Sequence, residues 1–556
     1  MSPSARIAAQ ENGIVLSNDT TSFSDLHHAR CVAAAKRAVR EMAQAPEAAG
    51  ISPGVMHMAI QSVWGHASLV QRLRLSLPDA FLYVRGMDGE WQEADNWERL
   101  QSVILPRIWN YGLGHKVVSA IPRFPQLLRQ VVRWAAWIKK AQHKNKPWIV
   151  SPARKLKNGL IETLSRHGAG IAVLKPSTSK WGDYLDALRN LRAKSNVCTF
   201  PIAPLSSRDK EVVAELGRLC ALEHAISDQR LRAAWRLYQQ YLADIVPTML
   251  AVADEGASIM KTLAPRAAVS YEANSWLSAA VLDGSSRHAK IKRIVFNHNS
   301  QPPSASTVAN EILETLFRQR TSNGLVNEAF FWSPASAERL RAPHGLSDSI
   351  AEKGLRLPYP AFNIRRSGSR PLRVLHAGNY QNWSDFFPWI AETSDEYLNG
   401  LETLAKTVDL LDNIELTIRV RPKREVDAEA VENRLGHYRH VTICGTDQDF
   451  LEQLADHDLL MAHFSTTVEQ ALQMGKPVLL WGSTQRYEQF SAQSVPPAGA
   501  LQDHVYTART VDELKTMLQA IERSEDSEQR MAKSIARSNF DAAHPTLEAL
   551  VEKLVH

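Results

Sequence analysis

A chain of 556 residues holds two to four domains at roughly 150 residues each. Its apolar fraction of 44% and charged fraction of 22% exclude a disordered chain. The formal net charge of +6 is uneven: between Glu98 and Glu162 there is no acid and there are thirteen Lys or Arg, so the remaining residues sum to −7.

Cys31, Cys198, Cys220 and Cys444 are widely separated and form no CxxC pair, which argues against a disulfide framework or a zinc site and for reduced thiols. The first twenty residues lack a basic start followed by an apolar run, and no window approaches the ~18 apolar residues of a spanning helix. The expectation is a cytoplasmic protein, or one held peripherally at the inner face of the plasma membrane.

Residues 1–145 read as an irregular, mainly helical extension with no recognisable motif. Within it, Gln126 to Ala141 has helical periodicity. Leu127, Val131, Trp134 and Ile138 form one apolar stripe, Arg129, Arg133 and Lys140 lie opposite, and Trp137 sits on the flank. Three readings stay open for this helix. It suits the headgroup layer of an anionic membrane or a lipid-linked acceptor, it suits plain packing on a sheet, and mixed basic and aromatic residues also suit stacked bases. For the whole chain, no nucleic-acid partner is expected.

Residues 146–355 open a parallel α/β series. Its strand candidates are Pro147 to Val150, Ile171 to Leu174, Ala267 to Tyr271, Arg293 to Phe296 and Ala329 to Trp332, with helical patterns over roughly 208–262. Residues 356–372 have a Pro-, Arg- and Ser-rich linker composition. A second series over 373–525 has strand candidates Arg373 to His376, Leu416 to Val420, Val441 to Cys444, Leu459 to Ala462 and Pro477 to Trp481. Near-continuous apolar strands alternating with helices predict parallel sheets covered on both faces. The fold class is therefore α/β, two tandem doubly wound Rossmann-like domains with an N-terminal helical extension. The pattern after Val511 is helical, and the segment 526–556 has the option of packing back across the linker.

Open parallel sheets bind ligands at the carboxyl ends of their strands. In the second series, Gly378 and Asn379 follow the first strand, a small-residue turn that admits a ligand to the backbone. Arg419, Arg421 and Lys423 follow the next, where they suit a phosphate or carboxylate, or equally a structural bridge. Ser465, Thr466 and Thr467 cap a helix that Gly475 stops, so hydroxyls and free N–H groups gather where an anion is favoured. Glu469 in the first turn suits a ribose hydroxyl, or a capping box with Thr466.

The run Arg-x-Arg-Pro, then Gly445-Thr446-Asp447, then Phe464 to Val478 (FSTTVEQALQMGKPV) resembles the nucleotide-sugar half of GT-B glycosyltransferases. It looks nearest to the bacterial surface-polysaccharide group that includes capsule Kdo transferases and glycerophosphotransferases. The resemblance covers roughly 373–490 well and 146–335 in outline. It implies a donor phosphate at Ser465 to Thr467, a donor ribose at Glu469, a nucleotide sugar as donor substrate with CMP-Kdo first in line, and a glycan or lipid-linked acceptor held by the 146–355 domain. It implies no cofactor beyond the donor. Asp447-Gln448-Asp449 spells a D-x-D triplet, the metal motif of the other main glycosyltransferase fold, but its place before a helix reads as capping, and no metal is expected.

Inverting transfer needs a general base and retaining double displacement needs a carboxylate nucleophile. Glu272, just after a strand, suits either role and equally an ordinary surface carboxylate; Asp283 is the fallback, and His298 is a base or ligand group. Two rivals remain: glycerophosphate transfer from CDP-glycerol, and a non-catalytic glycan-binding relative.

Overall fold

Apolar strands need cover on both faces, and the chain satisfies that need twice. In the computed structural model, the described residues are 83–85, 91–93, 126–152, 159–176, 196–202, 209–225, 229–273, 275–297, 325–334, 337, 354–356, 370–378, 394–421, 426–463, 465–482, 492–494, 501, 503–524 and 543–556. Among those of the extension, β1 (Tyr83–Arg85) and β2 (Trp91–Glu93) form an antiparallel pair, where the sequence reads as mainly helical. Helix α1 (Gln126–Gln142) follows at the expected position.

The first large sheet contains β3 (Trp148–Ser151), β4 (Gly170–Pro176), β5 (Val197–Ile202), β6 (Ala267–Ser270), β7 (Lys292–Phe296) and β8 (Glu328–Phe330). All pairings are parallel and the order is β5-β4-β3-β6-β7-β8. Between these strands run α2 (Leu160–Arg166), α3 (Asp209–Ala221), α4 (Gln229–Leu263) and α5 (Trp276–Ser286). A Cβ on Gly284 would meet the Ala253 carbonyl oxygen at 2.5 Å, so glycine is what lets α5 cross α4 so closely.

The second sheet repeats the plan. It contains β9 (Leu372–His376), β10 (Ile414–Arg419), β11 (Val441–Cys444), β12 (Leu459–Ala462), β13 (Val478–Leu480) and β14 (Val505–Thr507), in the order β11-β10-β9-β12-β13-β14. Its helices are α6 (Ser394–Asp409), α7 (Ala428–Leu435), α8 (Phe450–Ala455), α9 (Thr466–Gln473) and α10 (Val511–Arg523). Apolar clusters cover both of its faces.

Numbered within its own sheet, each domain has strand order 3-2-1-4-5-6, the doubly wound Rossmann order. The chain is thus two tandem Rossmann-like domains. The last helix, α11 (Leu547–Val555), belongs in space to the first domain. Leu547, Leu550, Val551, Leu554 and Val555 enter the cluster formed by Ile149, Ile171, Ile294 and Phe296. Backbone bonds between Arg356 and the segment Pro545 to Leu547 fasten it there. No helix of the described residues is long and apolar enough to cross a membrane.

Within the two parallel sheets, two strands escape the sequence reading, β5 and β14, and both lie at sheet edges. Pro201 within β5 demotes that run as a strand candidate, yet an edge strand tolerates a residue without an N–H.

Candidate functional site

The 3-2-1-4-5-6 order places the switch point of the second sheet between β9 and β12, and the crevice beyond their carboxyl ends. Sequence-predicted residues of two segments, the start of α9 and the turn after β9, meet there. Ser465 is the N-cap of α9 and its hydroxyl accepts from Thr467 N–H at 3.3 Å. Thr467 Oγ1 lies 2.8 Å from Ser465 Oγ and 3.3 Å from the Ala377 carbonyl oxygen, joining the helix start to the turn after β9. Gly475, with φ of 75°, ends α9 as expected, and Lys476 N–H closes onto the Ala471 carbonyl at 2.8 Å.

Glycines shape this edge. A Cβ on Gly378 would come within 2.9 Å of the His376 ring, and one on Gly482 within 2.5 Å of the His463 ring. The imidazole of His376, the last residue of β9, is 4% exposed, and its Nδ1 meets no partner among the described residues. Burial pushes its pKa down to about 4, so the ring is neutral at pH 7. The sequence reading passes over His376 because it closes an apolar strand; its polarity at a strand's carboxyl end was the available signal.

Glu469 is where the structure departs most from the sequence. Since Ser465 rather than Thr466 is the N-cap, Glu469 is the fourth helical residue and the Thr466–Glu469 capping box does not form. The carboxylate, 6% exposed, instead accepts a 2.8 Å hydrogen bond from Ser333 Oγ, which is fully buried just beyond β8 of the first domain. One turn further, Gln473 Nε2 donates to the Trp332 carbonyl at 3.2 Å. The carboxyl edges of the two sheets therefore meet across the domain boundary at α9.

Arg419 is engaged structurally. Its Nη1 donates to the Gln448 carbonyl at 2.9 Å and to Gln453 Oε1 at 2.7 Å, and its guanidinium lies over the Phe450 ring. Arg421 is exposed, while Asn379 and Lys423 lie outside the described residues. Asp449 of the D-x-D triplet caps α8, accepting from Leu451 N–H at 2.8 Å and Glu452 N–H at 3.3 Å.

On the first domain, the switch point lies between β3 and β6, which end in buried Ser151 and Ser270. Ser270 Oγ is 3.0 Å from Ser278 Oγ, and Ser275 caps α5. Half-buried Glu272 sits two residues past β6, its N–H directed at Ser270 Oγ at 3.4 Å, so it stands at this edge as expected. Asp283 does not join it. Eight residues past the cap, about 12 Å along α5 at 1.5 Å per residue, it pairs with Arg287 at 3.1 Å. His298 lies outside the described residues.

Of the helix α1 residues singled out from sequence, the inward stripe is different. Val132, Ala135, Ala136 and Lys139 are buried, whereas Trp134, placed on the apolar stripe by periodicity, is 59% exposed. Two adjacent alanines allow close approach to α4, which a stripe containing Trp134 would prevent. Arg133 donates to buried Glu255 of α4 at 3.2 and 3.0 Å. Arg129 is helical, with its side chain outside the described set.

No family model matches the sequence, and no curated protein matches it. Solved structures similar to the chain include MurG of Acinetobacter baumannii (12% identity, TM-score 0.39, 74% of this chain and 99% of that one). The UDP-GlcNAc 2-epimerase of Neisseria meningitidis bound to UDP-GlcNAc is similar at 9% identity and TM-score 0.38, over 73% of this chain and 96% of that one. The glycosyltransferase VinC in complex with dTDP is similar at 13% identity and TM-score 0.36, over 73% of this chain and 98% of that one.

Proposed function

We propose that the chain transfers a glycosyl group from a nucleotide sugar, bound at the β9/β12 switch point, to an acceptor held against the β3/β6 edge. The observation that carries this reading is the meeting of two Rossmann carboxyl edges at α9, through Ser333 and Glu469. One edge offers a glycine-lined turn, a hydroxyl-capped helix start and a carboxylate; the other offers Glu272 amid serine hydroxyls. Fold alone does not specify chemistry, so the weight rests on these groups.

The start of α9, with Ser465 to Thr467, receives the donor phosphate, where helix N–H groups stabilise charge developing on the leaving group. Gly378 admits the donor to the backbone, and Glu469 binds the ribose once it parts from Ser333. Glu272 acts on the acceptor hydroxyl or the anomeric carbon. Arg421, exposed beyond β10, remains the cation to test at the donor, since Arg419 is already engaged. The sequence likeness of 464–478 puts CMP-Kdo first as donor and a bacterial surface glycan or its lipid-linked precursor as acceptor.

Thermal shift with CMP, CDP, UDP and GDP tests the donor site. A true ligand at a hundredfold excess over its Kd stabilises by about 2.7 kcal/mol. Stabilisation by none of the four removes the donor-site assignment. Turnover of CDP-glycerol with no nucleotide sugar accepted replaces glycosyl transfer by glycerophosphate transfer.

A further inference from the structure

Helix α1 turns an aromatic face away from the protein. Trp134 is 59% and Trp137 60% exposed, the two largest exposed side chains among the described residues. At about 100° per residue, Trp134, Trp137 and exposed Ala141 share one pole of the helix, opposite buried Val132, Ala135, Ala136 and Lys139. Half-buried Lys140 borders that pole and exposed Lys144 follows two residues past the helix end, and no described carboxylate pairs with either. The helix contains no acid at all, and the sequence has none from Arg99 to Ile161. Arg133 is excluded from the free charge because Glu255 holds it.

Indole rings pair an apolar body with an N–H, and flanking cations draw such a surface to anionic headgroups. Two exposed Trp side by side on a rigid helix are otherwise an association hazard. Backing by Arg133–Glu255 and the alanine contact with α4 fixes the helix, so the face is presented without further folding.

We infer that the Trp134–Trp137 face of α1, with Lys140 at its border and Lys144 just past the helix end, docks the protein on an anionic lipid bilayer. This surface lies on the first domain, on the same chain as the proposed acceptor edge, and does not depend on which donor is used. It differs from the periodicity-based reading in that Trp134 is joined by Trp137 rather than grouped with Ile138, and Arg133 is held by Glu255.

The test is flotation of the full chain with vesicles of phosphatidylcholine mixed with phosphatidylglycerol, against phosphatidylcholine alone. The expected result is flotation with the mixed vesicles only, weakened by added salt. Trp134→Ala with Trp137→Ala, and separately Lys140→Glu with Lys144→Glu, each lower the bound fraction at least about tenfold, since each cation near the surface matters on the ~1 kcal/mol scale. Leu410→Ala, at an exposed apolar residue of the second domain, leaves flotation unchanged. Because the replaced side chains are largely outside the core, melting temperatures stay at the wild-type value, and nucleotide thermal shifts are retained. Wild-type protein that fails to float, or double variants that float normally, overturns the inference. So does an altered sedimentation coefficient in the Trp variant with flotation intact, which reassigns the face to self-association. Oligonucleotide binding lost in the Lys variant, with no flotation of the wild type, reassigns it to nucleic acid.

Discussion

The two Rossmann domains share a strand order but differ in how each is completed. The second closes its own core, with α6, α7 and α10 on one face of its sheet and α9 on the other. The first takes part of its core from the chain's end: α11 enters only after the whole second domain has been threaded. Their carboxyl edges differ as well. The second-domain edge combines glycines with two histidine rings, and the first-domain edge is lined by Ser151, Ser270 and Ser333. Same topology, different edge chemistry, is what a two-substrate cleft requires.

Removing α11 breaks this comparison most severely. Truncation before Thr546 withdraws five apolar side chains from the first core. At about 2 kcal/mol each, the loss is on the order of 10 kcal/mol, comparable with a whole domain's stability. Calorimetry should show the first-domain transition vanish while the second domain still melts cooperatively. Leu550→Ala, a milder version, should lower the first transition by about 2–5 kcal/mol and leave the second alone.

Acid sharpens the contrast from the other side. The folded pKa of His376 is about 4, below the 6.5 of an unperturbed histidine, so the unfolded chain binds the extra proton between those values. Stability is therefore highest above pH 6.5 and falls as pH drops toward 4, by about 3 kcal/mol at 1.36 kcal/mol per pH unit. His457, lowered first by burial, works in the same direction, and both belong to the second domain. Urea midpoints of the second transition between pH 7 and pH 4 should fall, and His376→Gln should flatten that fall.

A smaller effect is expected at the glycine turn. Gly378→Ala pushes a methyl to 2.9 Å from the His376 ring, an overpacking of about 1–3 kcal/mol. If the ring is the obstacle, adding His376→Ala recovers much of the loss, and the two changes are markedly non-additive by chemical denaturation.

These edges explain what could be read from the residues alone. Central strands such as β6, β9 and β12 were legible because burial on both faces leaves a continuous apolar run. The edge strands β5 and β14 were not, since β5 carries Pro201 and β14 is only three residues long, whereas the edge strands β8 and β11 kept readable apolar runs. Ser465 to Thr467 were legible as a helix start, a local pattern. The contact of Glu469 with Ser333 was not, because it spans 136 residues and forms only when both sheets exist. Trp134 misled the periodicity because its size argues for burial, while the adjacent alanines decide which side of α1 approaches α4.

The smallest predicted effect tests how the halves communicate. In the present arrangement Ser333 occupies Glu469, so a ribose that needs the carboxylate must displace that hydroxyl. A hydrogen bond to a charged group contributes about 1.5–3 kcal/mol, part of which the ribose must overcome on binding. Ser333→Ala removes the competitor, and nucleotide should then bind several-fold more tightly by titration calorimetry. Glu469→Gln keeps the shape but weakens the acceptor, so nucleotide affinity should fall instead. Opposite signs for two partners of one bond distinguish competition from a merely structural contact. Equal losses in both variants would mean that Ser333 only holds the domains together, and that Glu469 faces the acceptor side rather than the donor.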